Sequence, residues 1–157
     1  MQHKKYLKWI VVSIILVASI FFFMRIYSQP KEESIMDVNL REHKNLALHI
    51  HPILEIQVLE QQFTIPANIG ISAKGMRVIH THDSTGKLHI ESPYPHQFYL
   101  DDFFTIWGKK LNSSCIFEYC EDQSHELTFY VNGVKSNEKE NIPLKDEEQI
   151  KIVYSKR

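Results

Sequence analysis

The sequence predicts an α+β fold, in which one N-terminal transmembrane helix precedes a small β-rich domain of about six or seven strands and one short helix. Three observations predict it. A long uncharged apolar run lies close to the N-terminus. Apolar and polar residues then alternate with period two in several segments after residue 45, as they do in half-buried strands. One segment near residue 104 has the spacing of a helix instead.

The apolar run extends from Trp9 to Met24 without a charge or a proline. With its apolar neighbours it approaches the roughly 20 residues that a helix needs to cross hydrocarbon. Three lysines precede the run, which predicts that the N-terminus faces the cytoplasm. The sequence therefore predicts a single-pass protein of the cell membrane with four parts: a cytoplasmic tail (1–8), an anchor in the lipid bilayer (9–27), a spacer (28–45) and an extracytoplasmic β-rich domain (46–157).

A cleaved signal peptide is the alternative interpretation of this N-terminus. It would have the same basic start, but the apolar run is long and ends in the bulky residues Phe21, Phe22, Phe23 and Met24. No clear small-x-small cleavage site follows it, and no later residue is placed to serve as a lipid attachment cysteine. These features favour an uncleaved anchor.

The charge distribution argues against nucleic acid as a partner. Four of the 18 basic residues lie in the first 27 positions, so residues 28–157 have 14 basic and 19 acidic residues, a net charge of −5. A nucleic-acid-binding domain usually has a basic face. The outer domain is therefore expected to bind no nucleic acid.

The strands and the short helix of the domain follow from local patterns. Period-two alternation predicts strands around Leu54–Val58, Leu127–Val131 and Ile150–Tyr154, and Asn132-Gly133 predicts a hairpin turn. Asp101 is a candidate N-cap of a helix that ends near Asn112. The aromatic residues of this helix recur at helical spacing, which indicates core packing rather than a ligand site.

Histidines and one glutamate form the pattern with the clearest chemistry. Residues two apart on a strand share a face, which applies to His49 with His51, His80 with His82, and His89 with Glu91. If Thr85-Gly86 is a two-residue hairpin turn, His82 lies opposite His89 and His80 lies opposite Glu91. Ile79, Thr81, Leu88 and Ile90 then occupy the other face, towards the core.

Side chains opposed in this way have Cβ atoms about 5 Å apart, within reach of one zinc or copper ion. The first strand would add its two histidines if it lies beside the hairpin. The sequence thus predicts a metal site with these ligands: His80, His82, His89, Glu91, His49 and His51.

Two other interpretations of the same residues are open at this stage. A one-residue change of register would send the side chains to opposite faces, and a hydrogen-bonded polar network or general acid–base chemistry needs the same residue types. The sequence has no nucleophile elbow, no phosphate-binding glycine loop and no dinucleotide fingerprint. No catalytic residue is assigned, and the chain is not expected to be an enzyme.

Cys115 and Cys120 are the two cysteines of the chain. In an oxidising compartment, two nearby cysteines usually form a disulfide. A redox pair and soft ligands for copper(I) are the alternatives, although the spacing is not that of a thioredoxin-like motif. A four-residue gap can close a disulfide if the chain turns, so a structural disulfide is favoured, with free thiols as the next alternative.

The segment HTHDSTGKLHIESP (His80–Pro93) resembles the signature of a family of uncharacterised, membrane-anchored prokaryotic proteins. Further segments resemble the same family: LHIHPILEIQ (Leu48–Gln57), IPANIGI (Ile65–Ile71), LDDFFTIWGKKL (Leu100–Leu111) and VNG followed by IPLKDEEQIKIVY (Ile142–Tyr154). The resemblance implies that one recurring pattern contains His49, His51, His80, His82, Asp83, His89 and Glu91. It implies an envelope location and no particular reaction.

Together these patterns predict a single-pass envelope protein whose outer domain binds zinc or copper through the histidine–glutamate cluster. The alternative hypothesis is a non-enzymatic extracytoplasmic module that binds an envelope protein partner. A metal site requires the histidines to converge, whereas a docking module requires an exposed apolar patch or a free strand edge.

Overall fold

A computed structural model describes residues 2–27 and 34–157, with side chains described for residues 14–26 and 34–157. The chain divides into two compact units, Met1–Glu33 and Ser34–Arg157. The first contains helix α1 (Gln2–Tyr27). Residue 1 of the predicted tail and residues 28–33 of the predicted spacer lie outside the described residues.

The second unit is built mainly from short strands. It also contains helix α2 (Leu100–Trp107) and three short 3-10 helices, Ile35–Asp37, Leu40–Glu42 and Lys139–Asn141. The strands are β1 (Leu48–Ile50), β2 (Ile53–Val58), β3 (Gln61–Phe63), β4 (Ile71–Ser72), β5 (Gly75–Met76), β6 (Ile79–His80), β7 (His89–Ser92), β8 (Leu111–Asn112), β9 (Cys115–Ile116), β10 (Tyr119–Cys120), β11 (His125–Val131), β12 (Val134–Ser136) and β13 (Gln149–Lys156).

The largest sheet has five strands in the order β12-β11-β13-β2-β3. Its central pair, β2 with β13, is parallel and its other pairs are antiparallel. Because most of the domain sequence lies between β2 and β13, their pairing holds the beginning and the end of the second unit together. Two three-stranded sheets, β1-β7-β6 and β10-β9-β8, and the β4-β5 pair complete it.

Apolar residues of the period-two segments form the core, as the alternation predicts. Leu54, Ile56 and Val58 are buried on β2, and Ile150, Ile152 and Tyr154 are buried on β13. The Asn132-Gly133 turn is confirmed: Val131 pairs with Val134, and both turn residues have positive φ, 50° and 80°. That conformation matches the twist of the two strands it joins. Val38 and Leu40 extend the core into the segment that begins at Ser34.

The predicted fold class is wrong in its number of strands, which is about twice the predicted six or seven. The described residues contain 13 strands and two α-helices, although the domain is β-rich. Six of the strands, β4, β5, β6, β8, β9 and β10, have only two residues. A strand of two residues is too short to produce a period-two pattern, so alternation could not predict it.

The predicted transmembrane helix is also contradicted. Within the described part of the chain, no helix combines the length and the apolar character needed to cross a bilayer.

Helix α2 is shorter than predicted. It begins after Tyr99, whose backbone N–H donates to the Asp102 carboxylate at 2.8 Å, and it ends at Gly108 in the left-handed conformation (φ 70°). A left-handed residue stops the helix four residues before the predicted end, since it cannot continue the right-handed turn. The aromatic stripe is core, as predicted: Phe103 and Phe104 are buried and both contact Trp107.

Candidate metal centre

The three-stranded sheet β1-β7-β6 brings the predicted site residues together. β7 lies in the middle, with β1 on one side and β6 on the other. His49 on β1 pairs with Glu91, and His80 on β6 pairs with His89. The first strand therefore does lie beside the hairpin, which was the condition for His49 and His51 to join the site.

The register of the hairpin differs from the predicted one by two residues. His80, rather than His82, lies opposite His89. The reason is that the residues before β7 pair elsewhere: Lys87 forms a β-bridge with Ile53, and the Leu88 N–H donates to the Pro52 carbonyl at 2.9 Å.

A shift of two residues does not change the face to which a side chain points, since the period of a strand is two. Four residues of the opposite face are fully buried, as predicted: Ile79, Thr81, Leu88 and Ile90. The histidines consequently remain together on the side away from those residues.

His80 is the buried member of the cluster. Its side chain is fully buried, and its Nδ1 atom lies 3.1 Å from the carbonyl oxygen of Arg77. A carbonyl only accepts, so Nδ1 carries the proton and the lone pair of the neutral ring is on Nε2. That Nε2 atom is buried and has no hydrogen-bond partner among the described residues.

Burial sets the protonation state of this ring. Desolvation, the largest cause, lowers the pKa of His80 to about 4 from its ordinary 6.5, and the Arg77 carbonyl opposes the shift without reversing it. Desolvation also lowers the pKa of His89, with the neighbouring His82 as the next cause. Both rings are thus neutral near pH 7, the form in which histidine binds a metal.

His80, His82 and His89 form the inner triad. One ring nitrogen from each lies within 4.8 Å of the other two. The His82 and His89 ring centroids are 4.5 Å apart, and those of His80 and His82 are 4.9 Å apart. His82 is exposed, which leaves the triad accessible from solvent.

His49, His51 and His89 form the outer triad, with the same 4.8 Å limit between their ring nitrogens. Carboxylates contact two of these histidines. Glu91 Oε1 lies 3.2 Å from His49 Nε2, and Asp146 Oδ1 lies 3.8 Å from His51 Nδ1 and accepts from the His51 backbone N–H at 2.8 Å. A carboxylate that is hydrogen-bonded to a histidine orients its ring, and the contact between Glu91 and His49 is short enough for this role.

The predicted ligands have different places in this arrangement. All five predicted histidines belong to one triad or both, whereas Glu91 contacts His49 and is a member of neither triad. Asp83, which the family resemblance placed in the pattern, accepts from the Thr85 N–H at 2.9 Å and so stabilises the loop between β6 and β7. The cysteines form a disulfide across β9 and β10, away from the histidine-bearing sheet.

Three contributors to the site were not identified from the sequence. Asp146 contacts His51 from 95 positions away, and no local pattern indicates such a contact. The Arg77 carbonyl is a backbone atom, and its partner depends only on the fold. Gly70 approaches the backbone of Ile79 and His80 and has φ +73°, a conformation that glycine adopts without steric cost.

Comparison with protein-family models, with curated proteins and with solved structures found no match for this chain.

Proposed function

We propose that this domain binds a transition-metal ion, zinc or copper, through His80, His82 and His89. The observation that carries the proposal is the Nε2 atom of His80, which is buried without a hydrogen-bond partner among the described residues. A buried polar atom without a partner costs about 1–3 kcal/mol. A metal ion supplies the missing partner, since a lone pair on a neutral imidazole nitrogen is what zinc and copper bind.

The hydrogen bond of the other ring nitrogen supports the same conclusion. Metal-binding histidines almost always donate their second N–H to a carbonyl or a carboxylate, which fixes the tautomer and the ring orientation. The Arg77 carbonyl has this position at His80. The ring is therefore oriented for a ligand on Nε2 before the ligand arrives.

The spacing of the inner triad is compatible with one ion after small side-chain rotations. Nitrogen atoms bound at about 2.0–2.1 Å in tetrahedral geometry are about 3.3 Å apart. The three ring nitrogens lie within 4.8 Å of one another, so each has to move by no more than about 1 Å towards the centre. Three nitrogen ligands leave a fourth position open for water or a further ligand.

An oxidising location is part of the proposal. The disulfide between Cys115 and Cys120 supports it, since disulfides persist outside the cytoplasm and are rare within it. Imidazole nitrogen suits copper(II) and zinc alike. The function proposed is therefore metal binding in the cell envelope or outside it, with no reaction assigned.

The test is the metal content of the full chain, purified without an added histidine tag and measured by elemental mass spectrometry, followed by titration of the metal-free protein with zinc or copper(II). We expect about one ion at the inner triad. His82→Ala removes an exposed ligand without disturbing the core, and should lower the affinity by at least about tenfold.

His96→Ala is the matched control, because His96 is an exposed histidine that contacts the ring of Phe98 outside both triads. It should bind metal as the wild-type chain does. A folded chain that contains no metal and takes up neither zinc nor copper would refute the proposal, as would equal affinities for His82→Ala and His96→Ala.

A further inference from the structure

His89 belongs to both triads. It lies on the central strand of its sheet, so it has neighbours on two sides. Its ring centroid is 4.7 Å from that of His51 towards β1, and 5.5 Å from that of His80 towards β6. The two triads are consequently adjacent positions that meet at one side chain.

A neutral imidazole has one nitrogen with a free lone pair, and its other nitrogen carries a proton. His89 can therefore complete one triad at a time. We propose that the two triads are alternative positions for a single ion, which is captured by the outer triad and passes across His89 to the inner triad. This inference rests on the proposed metal-binding function and adds the path by which the ion reaches the inner triad.

The outer triad has the features of a capture position. The His49 side chain is 50% exposed, and the side chains of Glu91 and Asp146 beside the outer histidines are 15% and 56% exposed. Two carboxylates at an accessible site attract a divalent cation and raise its rate of arrival.

The inner triad has the features of a final position. His80 is fully buried, its ring is oriented by the Arg77 carbonyl, and its Nε2 atom has no other partner among the described residues. Moving the ion inwards breaks the bonds to His49 and His51 and forms bonds to His80 and His82. His89 contributes one ring nitrogen in either position and keeps its proton on the other, and the copper or zinc ion does not change its oxidation state.

Direct arrival at the exposed His82 is the competing route, and kinetics separate the two. The probe is copper(II), mixed with the metal-free full chain, with samples frozen at increasing times for electron paramagnetic resonance. The wild-type chain should bind one ion and show two copper(II) signals in succession, the first from the outer triad and the second from the inner triad.

His49→Ala and His82→Ala form a matched pair, since each removes one exposed histidine from one triad. His49→Ala should still reach the second signal, but about tenfold more slowly and without the first signal. His82→Ala should acquire the first signal at the wild-type rate and retain it. His96→Ala should match the wild-type chain throughout.

The possible failures are distinguishable. A wild-type chain that binds no copper(II) overturns both the proposed function and the route. Two ions per chain would show that both triads are occupied at once, which overturns exclusive occupancy. One ion that gives a single signal, at the same rate in wild type and His49→Ala, overturns capture at the outer triad but leaves metal binding at the inner triad intact.

Discussion

At the scale of single residues, His80 shows how a fold can prepare a ligand. Its position on β6 removes the ring from water, and the Arg77 carbonyl fixes the proton on Nδ1. Burial then favours the neutral ring, because a charged imidazolium loses its hydration. Burial thus leaves His80 as a neutral ring whose Nε2 lone pair has no partner among the described residues, which is the form of histidine that can bind a metal.

The lowered pKa of His80, about 4, makes the stability of the metal-free protein depend on pH. The unfolded chain, with the ordinary pKa of 6.5, binds a proton that the folded chain does not, so the free energy of unfolding rises with pH in this window. The contribution is complete above 6.5 and is lost progressively as the pH falls from 6.5 towards 4. We expect the free energy of unfolding to be smaller by about 2 kcal/mol near pH 5 than near pH 7 as a result of this group.

Urea unfolding of the metal-free protein at these two pH values, with a chelator present, measures the change. Other groups also titrate between them, so the relevant quantity is the difference between the wild-type chain and His80→Gln, which has no titrating group at this position. A wild-type chain with the same pH dependence as His80→Gln would show that His80 does not cause it.

The sequence predicted which histidines lie close together better than it predicted the hydrogen-bond and ion-pair partners of each ring. Side-chain alternation places His80 with His82, His89 with Glu91, and His49 with His51 on shared faces of their own segments, and any register that differs by an even number of residues keeps these pairs on one side of the sheet. An error of two residues left that assignment intact. The partners of each ring could not be predicted, since Asp146 and the Arg77 carbonyl depend on long-range packing and on loop geometry.

At the scale of elements, a loop holds the end of β6 in place. The segment around Gly70 pairs with the backbone of residues 77–81: the Arg77 N–H donates to the Gly70 carbonyl at 2.8 Å, and the Thr81 N–H donates to the Ile69 carbonyl at 3.1 Å. A Cβ atom on Gly70 would overlap the carbonyl oxygen of Ile79. The absence of a side chain at this position therefore allows the loop to lie against the strand that carries His80.

Gly70→Ala tests this packing, with Gly133→Ala as its matched control. Both glycines have positive φ, +73° and +80°, so both variants strain the backbone by roughly 1 kcal/mol. Only the Gly70 variant also forces a Cβ against the backbone of β6, because a Cβ at Gly133 has nothing within 4 Å. We expect Gly70→Ala to lower the free energy of unfolding by about 1–3 kcal/mol more than Gly133→Ala does.

Metal affinity gives a second, independent measurement of the same contact. Gly70→Ala should weaken binding by displacing His80, whereas Gly133→Ala should leave binding unchanged. Equal losses of stability in the two variants, with equal metal affinities, would show that the Gly70 contact has no part in positioning the histidine.

Elements differ in how well local sequence predicts them. The long strands and the Asn132-Gly133 turn follow from alternation and from turn chemistry, both of which act over a few residues. The end of α2 at Gly108 was missed, since the helix was predicted to end near Asn112, although glycine in the left-handed conformation commonly ends a helix. The two-residue strands are too short to show alternation, even though most of them pair with a strand only a few residues away.

At the scale of the whole molecule, two separate constraints act on the second unit. The parallel pairing of β2 with β13 joins segments from the two ends of the domain sequence. The Cys115–Cys120 disulfide is instead a local link between two cysteines five residues apart. The histidine cluster belongs to the β1-β7-β6 sheet and the disulfide to the β10-β9-β8 sheet. Metal binding and disulfide formation should therefore be independent properties.

Replacing both cysteines, as Cys115→Ala/Cys120→Ala, tests this independence. A loop this short restricts the unfolded chain only modestly, so its loss should lower the free energy of unfolding by about 2 kcal/mol. The zinc and copper affinities should stay at the wild-type values, since neither sulfur belongs to a described histidine triad. Urea unfolding measures the first quantity, and metal titration of the same sample measures the second.

The informative comparison is between this double variant and His82→Ala. The cysteine variant should lose stability and retain its metal, whereas His82→Ala should lose metal affinity and retain the stability of the metal-free domain, because an exposed side chain contributes little to the core. If each variant affects one property and leaves the other unchanged, the stability of the fold and the binding of metal are independent. If the cysteine variant instead lost its metal while it remained folded, the sulfurs would have to act at the site, and the nitrogen-only ligand set argued from His80, His82 and His89 would be wrong.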